Sequence, residues 1–134
     1  STGGWRTLGP SALPFRPDWP VPKAMDAADL ARVLEEFVQP ARRCEQAGFD
    51  LVELHMAHGY LLSAFLSPLT NQRTDEYGGS AAARAKYPLE VFRAMRAVWP
   101  TERPTSVRIS AHDWAEGGNT ADDAVEIAAL FQAA

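Results

Sequence analysis

From Asp26 onward the sequence alternates between two periodicities, and this alternation limits the fold more than any other feature. Asp26 can cap a helix, and Leu30, Val33, Leu34, Phe37 and Val38 recur at three-to-four spacing on the way to Ala47, where Gly48 stops the pattern. Pro40 falls inside this helix, costs it a hydrogen bond and predicts a kink or a new start near Gln39. Phe49 to Leu54 reads as a short strand delivering His55 at its carboxyl end. Ser80 offers the N-cap of a second helix reaching about Trp99, which Pro88 would split or restart. Thr105 to Ser110 alternates like a strand, and Thr120-Ala-Asp-Asp123 opens a third helix through Ala134 as a capping-box variant. Helix, strand, helix, strand, helix predicts an α/β fold with parallel strands joined by crossover helices. In such folds the chemistry collects at the carboxyl ends of the strands, where His55 and the run Ser110 to Asp113 both fall.

The flanking stretches are less regular. Pro10, Pro14, Pro17, Pro20 and Pro22 exclude a long helix or central strand, so residues 1–25 are expected to form an extended arm and residues 26–134 the folded domain. Residues 57–79 form a long connection, with a helical turn expected over Tyr60 to Leu66 and loop punctuation at Pro68, Asn71, Asp75 and Gly78-Gly79. A length of 134 residues allows one ordinary core, and 46% hydrophobic with 22% charged residues argues against global disorder.

A net charge of −4 without a basic stripe disfavours nucleic acid, and Arg42-Arg43, the adjacent basic pair, fits a solvated helix face. No apolar run approaches the roughly 20 residues of a membrane span. The start Ser1-Thr-Gly-Gly-Trp5 lacks the regions of a signal peptide, so a cytoplasmic setting is the expectation. Cys44, in a helical pattern, suits semi-buried packing better than nucleophilic chemistry.

The segment Glu53-Leu-His-Met-Ala-His-Gly-Tyr60 places two imidazoles and a phenol directly after an apolar run. Neighbouring imidazole N–H groups can stabilise negative charge on a carbonyl oxygen, as an oxyanion hole does. His55 and His58 suit that task. For an isolated pair the commoner role is that of satisfied semi-buried histidines, and a zinc pair lacks evident third and fourth ligands, with His112 and Cys44 candidates only by default. Tyr60 could donate a proton, although a phenol is a weak acid and a tyrosine after a glycine is often packing. Arg108 sits between Val107 and Ile109, so its guanidinium is expected to face away from them, toward the interior or rim of the sheet assembly. There it needs a partner, either an electron-rich ring or a structural carboxylate. Gly117-Gly118 could hold an anion before the last helix, but a turn is the simpler role and Asp122 and Asp123 would repel phosphate.

These residues, with the long run Leu66-Ser-Pro-Leu-Thr-Asn-Gln-Arg-Thr-Asp-Glu-Tyr-Gly-Gly-Ser80, resemble the old yellow enzyme family of flavin-dependent ene-reductases. The resemblance extends from about Pro10 to the end of the chain, and within the family it is nearest to a bacterial His-x-x-His branch that includes modules acting on CoA thioesters. It implies a (β/α)8 barrel, of which this chain would supply about two βα units, a preceding helix and the arm. Such a barrel takes about 250 residues, so the chain resembles an internal fragment. It further implies that His55 and His58 bind the carbonyl of an activated alkene, an enone or enoyl thioester. Tyr60 would be the proton donor, and Arg108 would lie near the pyrimidine edge of FMN. NAD(P)H is then the reductant, a small-molecule alkene conjugated to a carbonyl is the partner, and the intact protein could be a homo-oligomer. Relatives usually read Gly-Gly-Ser-x-Glu-Asn-Arg where this chain has Gly78-Gly-Ser-Ala-Ala-Ala-Arg84, which predicts weakened pairing around Arg84. Pro40 likewise replaces a small helix former. The reading from another class is a noncatalytic α/β piece whose uncovered strand edges associate with a second chain.

Overall fold

The computed structural model describes residues 4–134. Two short strands, β1 (Leu8–Gly9) and β2 (Lys23–Ala24), pair in parallel within the proline-rich stretch. Helix α1 (Ala27–Gln46) follows, then β3 (Val52–Met56), α2 (Leu61–Leu66), α3 (Ala81–Arg96), β4 (Thr105–Ile109) and α4 (Ala121–Gln132).

Each long helix begins where a side chain can serve orphan backbone donors. Asp26 accepts from the Asp29 N–H while Asp29 accepts from the Asp26 N–H, a reciprocal capping box that Thr120 and Asp123 repeat at α4. Ser80 caps α3 through the Ala83 N–H. Neither proline breaks its helix. The Pro40 position and the Glu36 carbonyl it leaves free both lie on the solvent side of α1, where water can serve that carbonyl. Pro88 is wholly buried inside α3, which runs unbroken to Arg96, so packing outweighs the missing hydrogen bond.

Strands β3 and β4 are parallel, with Val52 opposite Thr105, His55 opposite Arg108 and Met56 opposite Ile109. The strand therefore begins three residues later than the sequence suggests, and His55 lies within it rather than beyond it. The cause is non-local: the strand extends where it has a partner to bond. Alternation gives the sheet two unlike faces. Leu54 and Met56 are buried, and with Val107 and Ile109 they join the core under the helices. Glu53, His55, Ser106 and Arg108 occupy the other, open face.

Helix α3 sits centrally, packing against α1, α2 and α4. Phe65, Tyr87, Val91, Met95, Ile127 and Phe131 fill the space between them, and burying each such apolar side chain contributes roughly 1.5–3 kcal/mol. Among the described residues no helix is long and apolar enough to cross a membrane.

Candidate active site

The carboxyl end of β3 turns back on itself because two successive residues adopt left-handed backbone, His58 at φ 62° and Gly59 at φ 74°. Glycine takes this conformation freely, whereas for histidine it costs on the order of 1 kcal/mol. Two hydroxyls hold the turn. The His58 N–H donates to Ser110 Oγ at 3.0 Å, and the Gly59 N–H donates to Ser63 Oγ at 3.2 Å. As a result the His55 ring lies 5.1 Å from that of His58 and 5.6 Å from that of Tyr60, between centroids. No hydrogen bond among the described residues uses the imidazole nitrogens of His55 or His58 or the phenol of Tyr60. Tyr60 is 67% exposed and borders an open groove of about 700 Å³ that Trp5, Leu8, Val33 and Phe37 also line.

Arg108 does face away from Val107 and Ile109, as alternation requires, but its side chain is 55% exposed rather than buried. A sheet of two strands leaves its polar face open. The partner is the structural carboxylate foreseen as one alternative: Arg108 Nε donates to Glu53 Oε1 at 2.6 Å, while Ser106 Oγ donates to Glu53 Oε2 at 2.9 Å. The hydrogen bond from Arg108, with that from Ser106, holds the Glu53 carboxyl below its usual range. In this exposed setting the pair adds little to stability and acts mainly on geometry.

Behind the turn lies a buried polar network that no local sequence pattern announces. Asp113 Oδ2 accepts from Ser67 Oγ at 2.7 Å and from the Asn119 N–H at 2.8 Å. Asn119 Nδ2 donates to the Leu66 carbonyl at 3.1 Å. Arg84 donates to the Leu66 carbonyl through Nε at 2.7 Å, to the Gly79 carbonyl, and to Asn119 Oδ1 at 3.0 Å. The loss of the relatives' carboxylate and amide before Arg84 therefore does not leave it unpaired, because carbonyls and a distant asparagine supply its acceptors. Burial pushes the Arg84 guanidinium down from its ordinary range, with Asp123 and Asp113 opposing that shift. The network ties the connection after β3 to the loop after β4, the two segments that carry His58 and Ser110. Gly118 belongs to the same junction, since a Cβ there would stand 2.6 Å from Asp113 Cβ, and with Gly117 at φ 74° the glycine pair makes a turn.

His112 takes no part in the ring cluster. It stacks on Trp114 at 4.7 Å between centroids, and its Nδ1 accepts the Trp114 N–H at 2.8 Å. Cys44 is half-buried in α1. The described residues include no group of three or more His, Cys, Asp or Glu placed to hold a metal ion.

The family model described as the NADH:flavin oxidoreductase / NADH oxidase family matches residues 11–134. An NADPH dehydrogenase of Geobacillus thermodenitrificans is 48% identical over 118 residues, covering 88% of this chain and 34% of the relative. The chain thus spans about a third of the length of the curated relatives it matches. Among solved structures, 2-naphthoyl-CoA reductase in complex with 2-naphthoyl-CoA superposes with a TM-score of 0.90 at 32% identity, covering 96% of this chain and 20% of that one. Morphinone reductase in complex with tetrahydroNAD gives a TM-score of 0.78 at 31% identity, covering 90% of this chain and 37% of that one. The fold is accordingly one arc of the (β/α)8 barrel that these enzymes share.

Proposed function

The chain belongs to the NADH:flavin oxidoreductase / NADH oxidase family, that of old yellow enzyme, and on this premise we propose that it is part of an FMN-dependent reductase of alkenes conjugated to a carbonyl. The observation that carries the reading is the ring cluster at the end of β3. The imidazole rings of His55 and His58 lie 5.1 Å apart between centroids, a spacing at which both could donate to one carbonyl oxygen and stabilise the negative charge that grows there. Tyr60, whose ring centroid is 5.6 Å from that of His55, would give its proton to the carbon next to that carbonyl. The groove beside Tyr60 sets Arg6, Arg32 and Glu36 among its apolar residues, a mixed surface for the rest of the substrate.

FMN, reduced by NADH or NADPH, would supply the hydride that adds to the far carbon of the alkene. The chain offers one fitting contact for it. Arg108 lies beside His55 on the open face, and its two terminal nitrogens make no hydrogen bond among the described residues, which suits donation to the oxygen- and nitrogen-rich edge of a flavin. The rest of the cofactor site would come from barrel units that this chain does not contain, with the arm of residues 1–25, of which 1–3 lie outside the described residues, preceding the domain of residues 26–134. The relatives solved with a naphthoyl thioester and with tetrahydroNAD support a carbonyl-conjugated substrate and a nicotinamide reductant.

Replacing His55 and His58 together by alanine in the full-length polypeptide carrying this segment tests the reading. Turnover of an enone such as cyclohexenone is expected to fall by at least about 100-fold, in line with the loss of oxyanion donors, while flavin content changes little. Unchanged turnover would remove the assigned roles.

A further inference from the structure

Glu53 has a place in the site that neither the ring cluster nor the flavin contact explains. It sits on the same open face as His55, two residues earlier, and both of its carboxylate oxygens are engaged from the neighbouring strand. Ser106, directly opposite in the register, donates to Oε2 at 2.9 Å, and Arg108, two residues further on, donates from Nε to Oε1 at 2.6 Å. A carboxylate anchored at both ends fixes the direction of the guanidinium it holds. Because the bond is made by Nε, Nη1 and Nη2, which make no hydrogen bond among the described residues, stay available.

We propose that Glu53 is a positioning residue, a charged mount that aims the terminal nitrogens of Arg108 at the cofactor and balances part of their positive charge. The proposal rests on the reading that Arg108 meets the flavin. Glu53 is unsuited to be a proton donor, since Arg108 and Ser106 keep it ionised. Its influence on reduction is electrostatic: a negative charge behind the guanidinium weakens the pull of Arg108 on electron density arriving at the flavin. Removing that charge while keeping the mount should make the flavin easier to reduce.

Three substitutions in the full-length flavoprotein separate these effects, with flavin dissociation constant and midpoint potential as readouts. Glu53→Gln keeps an oxygen for Arg108 Nε and is expected to retain FMN while moving the midpoint to more positive potential. Glu53→Ala removes the mount and is expected to weaken FMN binding by about tenfold, the loss of one hydrogen bond to a charged group. Arg108→Met is expected to weaken FMN binding, and adding Glu53→Ala to it should cause no further loss, because the two residues act as one unit. If both Glu53 variants match the wild type while Arg108→Met alters affinity and potential, the role of Glu53 is overturned and the flavin contact stands. An equal loss from Glu53→Ala with and without Arg108 also overturns it, as an effect independent of the arginine. If Arg108→Met itself changes neither readout, the reading of Arg108 fails and the proposal with it.

Discussion

Replacing Asn119 by alanine should lower the stability of the chain by about 3 kcal/mol, although the residue lies in a loop. Asn119 is 5% exposed and its amide works in both directions, accepting from Arg84 Nη2 at 3.0 Å and donating to the Leu66 carbonyl at 3.1 Å. Truncation leaves a cationic N–H of Arg84 buried without an acceptor, which costs about 1.5–3 kcal/mol, and removes an amide–carbonyl bond worth about 1 kcal/mol. The Leu66 carbonyl keeps its bond from Arg84 Nε at 2.7 Å, so no further penalty arises there. The Asn119 N–H bond to Asp113 also survives, because it belongs to the backbone. For a chain of this size the loss corresponds to a fall in Tm of roughly 10 °C. Urea unfolding followed by far-UV circular dichroism measures it, with the midpoint displaced and the slope unchanged. A loss below about 0.5 kcal/mol, the size of an ordinary surface substitution, would mean that Asn119 is not the buried acceptor on which Arg84 depends.

Other consequences are as specific. Ser110→Ala should reduce enone turnover of the full-length protein by about tenfold with its flavin retained, since the left-handed His58 loses its anchor, and Ser110→Thr should restore most of it; equal rates for all three proteins would count against the anchor. Gly118→Ala should destabilise the chain by about 2 kcal/mol or more in the same urea assay, because the added methyl meets Asp113 and the turn cannot yield cheaply. The Lys23 ammonium, helped by the Asp29 N–H, draws the Asp26 carboxyl down to about 2. A depressed carboxyl contributes stability that is present above the ordinary carboxylate range and is lost as pH falls toward 2. Stability measured against pH should therefore decline below about pH 4, and Asp26→Ala should flatten that limb.

The helix starts were legible because caps are local: Asp26, Ser80 and Thr120 each bond within three residues of themselves. Pro40 and Pro88 suggested new starts for the same reason, and neither interrupts its helix. Their local cost at positions 40 and 88 is real, but solvent at one site and burial at the other decide the outcome. The edge of β3 depended on Thr105, more than fifty residues away, and no reading of Phe49 to Leu54 alone could set it. The His-x-x-His-x-Tyr spacing foretold the ring cluster, since a turn must bring those positions together. What held the turn, Ser110, and the bonds that lock its support, Arg84 to Asn119, Asn119 to Leu66 and Ser67 to Asp113, come from separations of 35 to 53 residues. In the sequence, Ser110 to Asp113 stood out only for falling at the end of a strand, and Arg84 only for lacking the neighbours its relatives have. Arg108 showed a charge in need of a partner, and its alternation was right; that Glu53 is the partner required the register of β3 and β4.

In the proposed reaction one carbonyl oxygen and one flavin edge meet this face of the sheet. A crystal structure of the full-length protein with FMN and an unreactive carbonyl ligand such as p-hydroxybenzaldehyde tests it most directly. One ligand oxygen is expected within about 3 Å of an imidazole nitrogen of both His55 and His58, with the Arg108 terminal nitrogens on the flavin. A ligand bound away from the two histidines, or a flavin that leaves Arg108 in solvent, would contradict it.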